Sequence, residues 1–151
     1  MPHQVVKCSV RGSVGDLAKI TAALEAKGYN ILAISASEVN HVGMLAMVFD
    51  PDEDIEDIAD TVGRVDLGGG RTPEDVDRVP DIHILLPNTP GQLRQAAEAL
   101  GDINIETVVT IDKQQGNKAR VSLGFQQSDL AEAERRLRVA GIQIHKHHHQ
   151  A

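Results

Sequence analysis

Residues 86–93, Leu-Pro-Asn-Thr-Pro-Gly-Gln-Leu, separate a short apolar run from an amphipathic segment. Their types suit the opening of a helix. Thr89 fits an N-cap, Pro90 the first helical position, and Gln92 the reciprocal arm of a capping box. Gly91 has no side chain, so a ligand can come close to the backbone N–H groups there. First-turn N–H groups lack partners inside a helix, and the helix dipole favours an anion beside them. The chemistry on offer is non-covalent: capture of a carboxylate, with Asn88 and Leu93 flanking it. The plainer reading is a capped strand-to-helix turn. Gly12, Ser13, Val14, Gly15, Asp16 and Leu17 form the matching set near the N-terminus.

Two further dipeptides recur at a matching distance, Asn30-Ile31 and Asn104-Ile105. An Asn amide can accept from an ammonium or donate to a carboxylate. It serves equally as a turn residue entering a strand.

The elements that must position these residues are written twice. VVKCSVRGSVGDLAKITAAL aligns with DIHILLPNTPGQLRQAAEAL, setting Gly15 over Gly91, Leu17 over Leu93 and Leu24 over Leu100. Each copy begins with an apolar strand, residues 5–10 and 82–86. A helix follows in each, with Leu17, Ile20 and Leu24 at helical spacing in one and Leu93, Ala96, Ala97 and Leu100 in the other. Lys27-Gly28 and Gly101 end these helices.

Two strands and a polar turn come next. Ile105, Thr107, Val109 and Ile111 share one face. Ala119, Val121, Leu123 and Phe125 alternate with Lys118, Arg120, Ser122 and Gly124, the period of a half-buried strand. The second helices are expected to open at Asp50-Pro51 and at Ser128. Residues 65–67 and 142–144 are candidates for last edge strands.

The organisation expected is therefore one β-α-β-β-α-β unit over 1–67, a Gly- and Pro-rich linker over 68–80, a second unit over 81–144, and a His-rich tail over 145–151. Each unit is a ferredoxin-like α+β arrangement, with helices on one sheet face and the other face open unless covered.

The order strand, N-x-P-G-x-L, helix, then N-I opening a strand resembles the ACT domain. ILLPNTPGQLRQAAEALGDINI carries the pattern well. KCSVRGSVGDLAKITAALEAKGYNI departs from it, with Val14 for the usual proline and Gly12 for the usual Asp or Asn. The resemblance implies a non-catalytic regulatory protein that binds a small molecule, most often an amino acid, and signals to an enzyme or transporter. It also implies two units side by side in one eight-stranded sheet. The ligand would then lie at their interface, against residues 88–93 with Asn104 and Ile105, and residues 12–17 with Asn30 and Ile31. A homodimer and a regulated protein partner are expected, and no cofactor.

Composition argues in the same direction. Tyr29, Phe49 and Phe125 are the only aromatic residues, too few for base-stacking platforms, and the formal net charge of −7 disfavours a phosphate backbone. No apolar stretch has the length of a membrane span, and the N-terminus lacks a signal-peptide pattern, so a cytoplasmic protein is expected. Cys8 stands alone and reads as a small strand residue. The tail histidines read as adventitious metal binders rather than a site. Residues 50–61 carry Ile55 and Thr61 where a calcium loop has its Gly and its Glu. Arg11 is a weak echo of the phosphate-cradling turn of acylphosphatase-like enzymes. A ligand-free assembly subunit is the other alternative.

Overall fold

Ile20 and Leu24, one helical turn apart, are fully buried, and so are Phe49 and Phe125 at corresponding strand ends. These side chains anchor two separate cores. The structure, a computed structural model, describes residues 3–11, 15–87, 89–115 and 118–145. The expectations placed on Gly12, Ser13, Val14 and Asn88, and on the tail beyond His145, lie outside the described residues. Cα packing divides the chain into two compact units, Met1–Arg78 and Val79–Ala151.

The first unit contains β1 (His3–Val10), α1 (Asp16–Ala26), β2 (Ile31–Val39), β3 (Val42–Phe49), α2 (Ile55–Gly63) and the opening part of β4 (Glu74–Pro87). Its strand order is β2-β3-β1-β4. Val6, Cys8, Leu45, Met47 and Phe49 face Ile20, Leu24, Ile58 and Val62 of the two helices. Burial pushes the Cys8 thiol up to about 11, so it stays protonated and behaves as a small apolar side chain. Helix α1 ends in a Schellman motif: Gly28 N–H donates to Glu25 O at 2.9 Å and Tyr29 N–H to Leu24 O at 3.1 Å.

The second unit contains the rest of β4, α3 (Gln92–Leu100), β5 (Thr107–Gln115), β6 (Lys118–Gly124), α4 (Leu130–Val139) and β7 (Gln143–Ile144). Its order is β5-β6-β4-β7, with antiparallel pairing throughout. Ile82, Ile84, Leu86, Val121 and Leu123 pack against Ala96, Leu100, Ala133 and Leu137. Both units are α+β, with helices on one face of antiparallel strands.

Several local expectations are corrected. Residues 74–80 are strand rather than linker, and β4, not residues 65–67, supplies the last strand of the first unit. Val65 and Leu67 are instead core residues, 7% and 2% exposed. The cap of α2 is Asp54, whose carboxylate accepts from Asp57 N–H at 3.2 Å; Asp50 accepts from Asp52 N–H in a turn before it. Ser128 lies in a 3-10 turn that precedes α4. Leu17 and Leu93 are 42% and 51% exposed, so the helix faces that meet the cores begin later, at Ile20 and Ala96.

The largest correction concerns β6. Arg120 and Ser122, expected on a solvated face, are 7% and 0% exposed. They belong to a buried polar cluster. Arg120 Nε–H donates to His83 Nδ1 at 2.9 Å, which leaves the imidazole proton on Nε2, and Nε2 meets Asp81 Oδ2 at 2.6 Å. Ser122 Oγ–H donates to the same oxygen at 2.6 Å. Among the described residues, Asp81 Oδ1 and Thr107 Oγ1 are buried without a partner. The face away from the helices, which the sequence pattern left open, is thus buried in this unit.

Gly124 stands between Asp81 and Thr107 in the ladder. A Cβ there would lie 2.1 Å from Thr107 Oγ1 and 2.7 Å from Val79 Cγ1. Gly124→Ala is therefore expected to destabilise the protein by ~1–3 kcal/mol through overpacking. An unchanged urea midpoint would contradict this.

At the surface of α4, Arg135 and Arg136 hold the Glu132 carboxyl down at about 2 from its ordinary 4.5. A depressed folded-state value gives a contribution that is complete above pH 4.5 and lost as pH falls toward 2. Glu132→Gln should flatten the acid loss of stability across that window, as followed by circular dichroism at fixed urea. A slope identical to that of the unmodified chain would refute the assignment.

Candidate functional site

Each unit turns from its first strand into its first helix through a glycine whose backbone is left-handed. Gly15 has φ 93° and Gly91 φ 87°, and each is the N-cap residue without a side-chain capping bond. An L side chain at either position is strained, so glycine is required by torsion. Among the described residues, chain neighbours aside, no atom lies within 4 Å of where a Cβ would stand at either glycine. The capping box expected from Thr89 and Gln92 is not formed. Thr89 instead donates its N–H to Pro87 O at 2.8 Å in a tight turn, and the helix opens later than Pro90.

The starts of α1 and α3 differ in charge. Asp16 occupies the first position of α1 and is 3% exposed. Its two carboxylate oxygens accept from Arg71 Nη1 and Nη2, each at 3.3 Å. Arg71 also donates to Leu67 O at 2.9 Å, and Lys19 Nζ reaches the same carbonyl at 3.0 Å. A backbone bridge between Gly68 and Arg71 shapes the loop that delivers this guanidinium. The start of α1 therefore already carries an anion, held by a cation of its own unit. The corresponding residue of α3 is Gln92, which is neutral.

Beside α3 the second unit has a cavity of about 180 Å³. Leu85, Leu86 and Pro87 of β4 form one side and Gln92 and Gln95 another. Lys118, which is paired with Pro87 in the ladder, and residues 141–143 complete it. Lys118 Nζ donates to Gln143 Oε1. Of the residues singled out from sequence, Gln92 lines this cavity. Asn104 and Ile105 are elsewhere: the Asn104 amide donates to Glu106 Oε2 at 3.4 Å, and Ile105 packs on the core. Gln95, Lys118 and Gln143 escape sequence reasoning, since single polar residues on three different elements leave no spacing signal.

In the first unit, Asn30 and Ile31 do not meet Gly15. They line an open groove of about 510 Å³ along the outer side of α1, with Thr21, Glu25 and Tyr29. Tyr29 Oη–H donates to Asp57 Oδ2 at 2.5 Å, and that bond to a carboxylate raises the phenol to about 12. The same bond, with Lys27, holds the Asp57 carboxyl below its ordinary range. Asn30 N–H donates to Glu53 Oε1 at 3.2 Å.

The buried cluster around His83 is not a nucleophile relay. Ser122 Oγ–H donates to Asp81 rather than to the imidazole, and the hydroxyl is fully buried, out of reach of a substrate. Arg11 is paired with Glu74 at 3.1 Å. Among the described residues no group of three His, Cys, Asp or Glu side chains could hold a metal, and no helix is long and apolar enough to cross a membrane.

The sequence profile of the TTHA0829-like ACT domain matches residues 81–146. This span covers the second unit from Asp81, including the Gly91 turn and Lys118. The second unit is an ACT domain. No curated protein matches the chain in sequence. Among solved structures, the chain is similar to protein BT0572 from Bacteroides thetaiotaomicron, at 18% identity and TM-score 0.69, over 96% of this chain and 92% of that one. It is similar to the regulatory subunit of aspartate kinase from Thermus thermophilus, in its ligand-free form, at 18% identity and TM-score 0.67, over 93% of each chain. The Clostridium acetobutylicum aspartate kinase matches at 16% identity and TM-score 0.58, over 91% of this chain and 32% of that enzyme. At these identities the likeness is one of fold. The fold shared with these structures extends over both units.

Removing the guanidinium at the start of α1 leaves Asp16 buried and unpaired. Arg71→Ala is expected to lose ~1–3 kcal/mol, toward the lower end because Arg71 is partly exposed. Hydrogen exchange should report the loss at the amides of α1. Protection there equal to that of the unmodified chain would show that Arg71 does not hold this helix start.

Proposed function

We propose that the chain is a non-catalytic regulatory protein that binds a small molecule at the Gly91 turn of the ACT domain and passes its occupancy to a partner enzyme. An amino acid is the ligand class that fits. The carrying observation is the left-handed Gly91, directly followed by Gln92, which lines the 180 Å³ cavity. Cavities for drug-sized ligands run to ~300–1,000 Å³, so this one suits a molecule of few heavy atoms. First-turn N–H groups of α3 offer donors for a carboxylate, and Gln92 and Gln95 offer acceptors for an ammonium.

The likeness to a regulatory subunit of aspartate kinase supports the same reading, as does the restriction of the kinase match to about a third of that enzyme. On this reading the ligand acts by population shift: it binds one arrangement of the chain more tightly than another, and the partner responds to that arrangement. The Gly15 turn, latched by Arg71 on Asp16, is a structural copy with no ligand role.

Thermal unfolding against the twenty amino acids tests this. A ligand at a hundred times its Kd should add ~2.7 kcal/mol of stability. Gly91→Val should remove that gain while the variant still unfolds cooperatively, with a strain penalty of about 1–2 kcal/mol. A Gly91→Val variant that keeps the full ligand shift would sink the site, and twenty flat curves would sink the ligand class.

A further inference from the structure

We infer that the cavity beside α3 selects ligands with net negative charge, so that acidic amino acids or small dicarboxylates bind in preference to neutral and basic ones. This rests on the reading that the ACT domain binds a small molecule at this turn. Its basis is the charge of the cavity. Among the described residues that line it, Lys118 alone has an ionisable side chain; the polar remainder is Gln92, Gln95 and Gln143, all neutral.

Lys118 stands opposite Pro87 in the β4–β6 ladder, which fixes its stem at the mouth of the turn rather than on a distant loop. Its ammonium is held by the Gln143 amide oxygen on β7. That bond orients the charge without neutralising it. A zwitterion adds an ammonium to a cavity that already holds one and brings only a single carboxylate to offset both. A basic amino acid brings two cations. An acidic one brings a second carboxylate that can form an ion pair with Lys118, adding a charge–charge attraction that the neutral oxygen of its carboxamide lacks. The three glutamine amides then serve the remaining polar groups from either side, because each can donate or accept.

The first unit provides the contrast. There the first helical residue is Asp16, and the arginine that reaches it is engaged in holding it. The anion-accepting chemistry of that helix start is satisfied from within the chain, whereas Lys118 faces a cavity.

Isothermal titration of the full chain tests the inference with glutamate, aspartate, their carboxamides glutamine and asparagine, lysine, and glutarate, each against the unmodified chain and Lys118→Gln. The preference of at least one acid over its carboxamide should be about tenfold. It should fall to within about twofold in Lys118→Gln, with the thermal midpoint little changed because a glutamine can still reach Gln143. Equal binding of acid and carboxamide, or a preference that survives Lys118→Gln, overturns the inference while leaving the ACT ligand reading intact. Binding of glutarate but of none of these amino acids keeps the charge selection and overturns an acidic amino acid as the occupant. No binding by any of these probes overturns the inference, whereas the ligand reading falls only with flat curves for all twenty amino acids.

Discussion

One backbone torsion governs how α1 and α3 begin. At φ near +90° an L side chain is strained, so Gly15 and Gly91 let a strand turn directly into a helix without a capping side chain. The consequence is an uncapped helix start. Any other residue there would be strained or would shift the helix along the chain. The placement of Asp16 and Gln92, and of the helix faces that meet the two cores, follows from where these glycines start their helices.

Given the same torsion twice, charge separates the units. Asp16 puts a carboxylate where α1 most favours one, and Arg71 from the triple-glycine loop closes over it. Gln92 leaves the equivalent position on α3 neutral, and Lys118 contributes a cation close by. One helix start is thereby self-satisfied and the other is available. On the proposed reading, differences at a few side chains make one of two similar turns a structural latch and the other a receptive site.

Much of the architecture was legible because hydrophobic periodicity records burial against helices. Ile20 with Leu24, Ala96 with Leu100, and the matched Phe49 and Phe125 all lie in the cores their spacing suggests. The failures share a cause: polar sequence suggests solvation where the fold provides none. Residues 74–78, Glu-Asp-Val-Asp-Arg, form strand because a strand is held by its backbone, and most side chains there remain at the surface. Arg120 and Ser122 sit at alternate positions of β6 yet are buried, since Asp81 and His83 satisfy them; a period of two identifies a face but not whether it is wet. Arg71 is hidden in a segment whose glycines signal only flexibility. At the site, glycine and turn were legible, whereas Gln95, Lys118 and Gln143 converge only through the fold.

The inequality of two similar helix starts is tested most directly by amide chemical-shift mapping during an amino-acid titration. Perturbations are expected to concentrate in residues 89–95, at Lys118 and over 141–143, with the amides of residues 15–19 unmoved. Equal perturbation of both helix starts, or perturbation confined to the groove beside Asn30 and Ile31, would contradict that inequality.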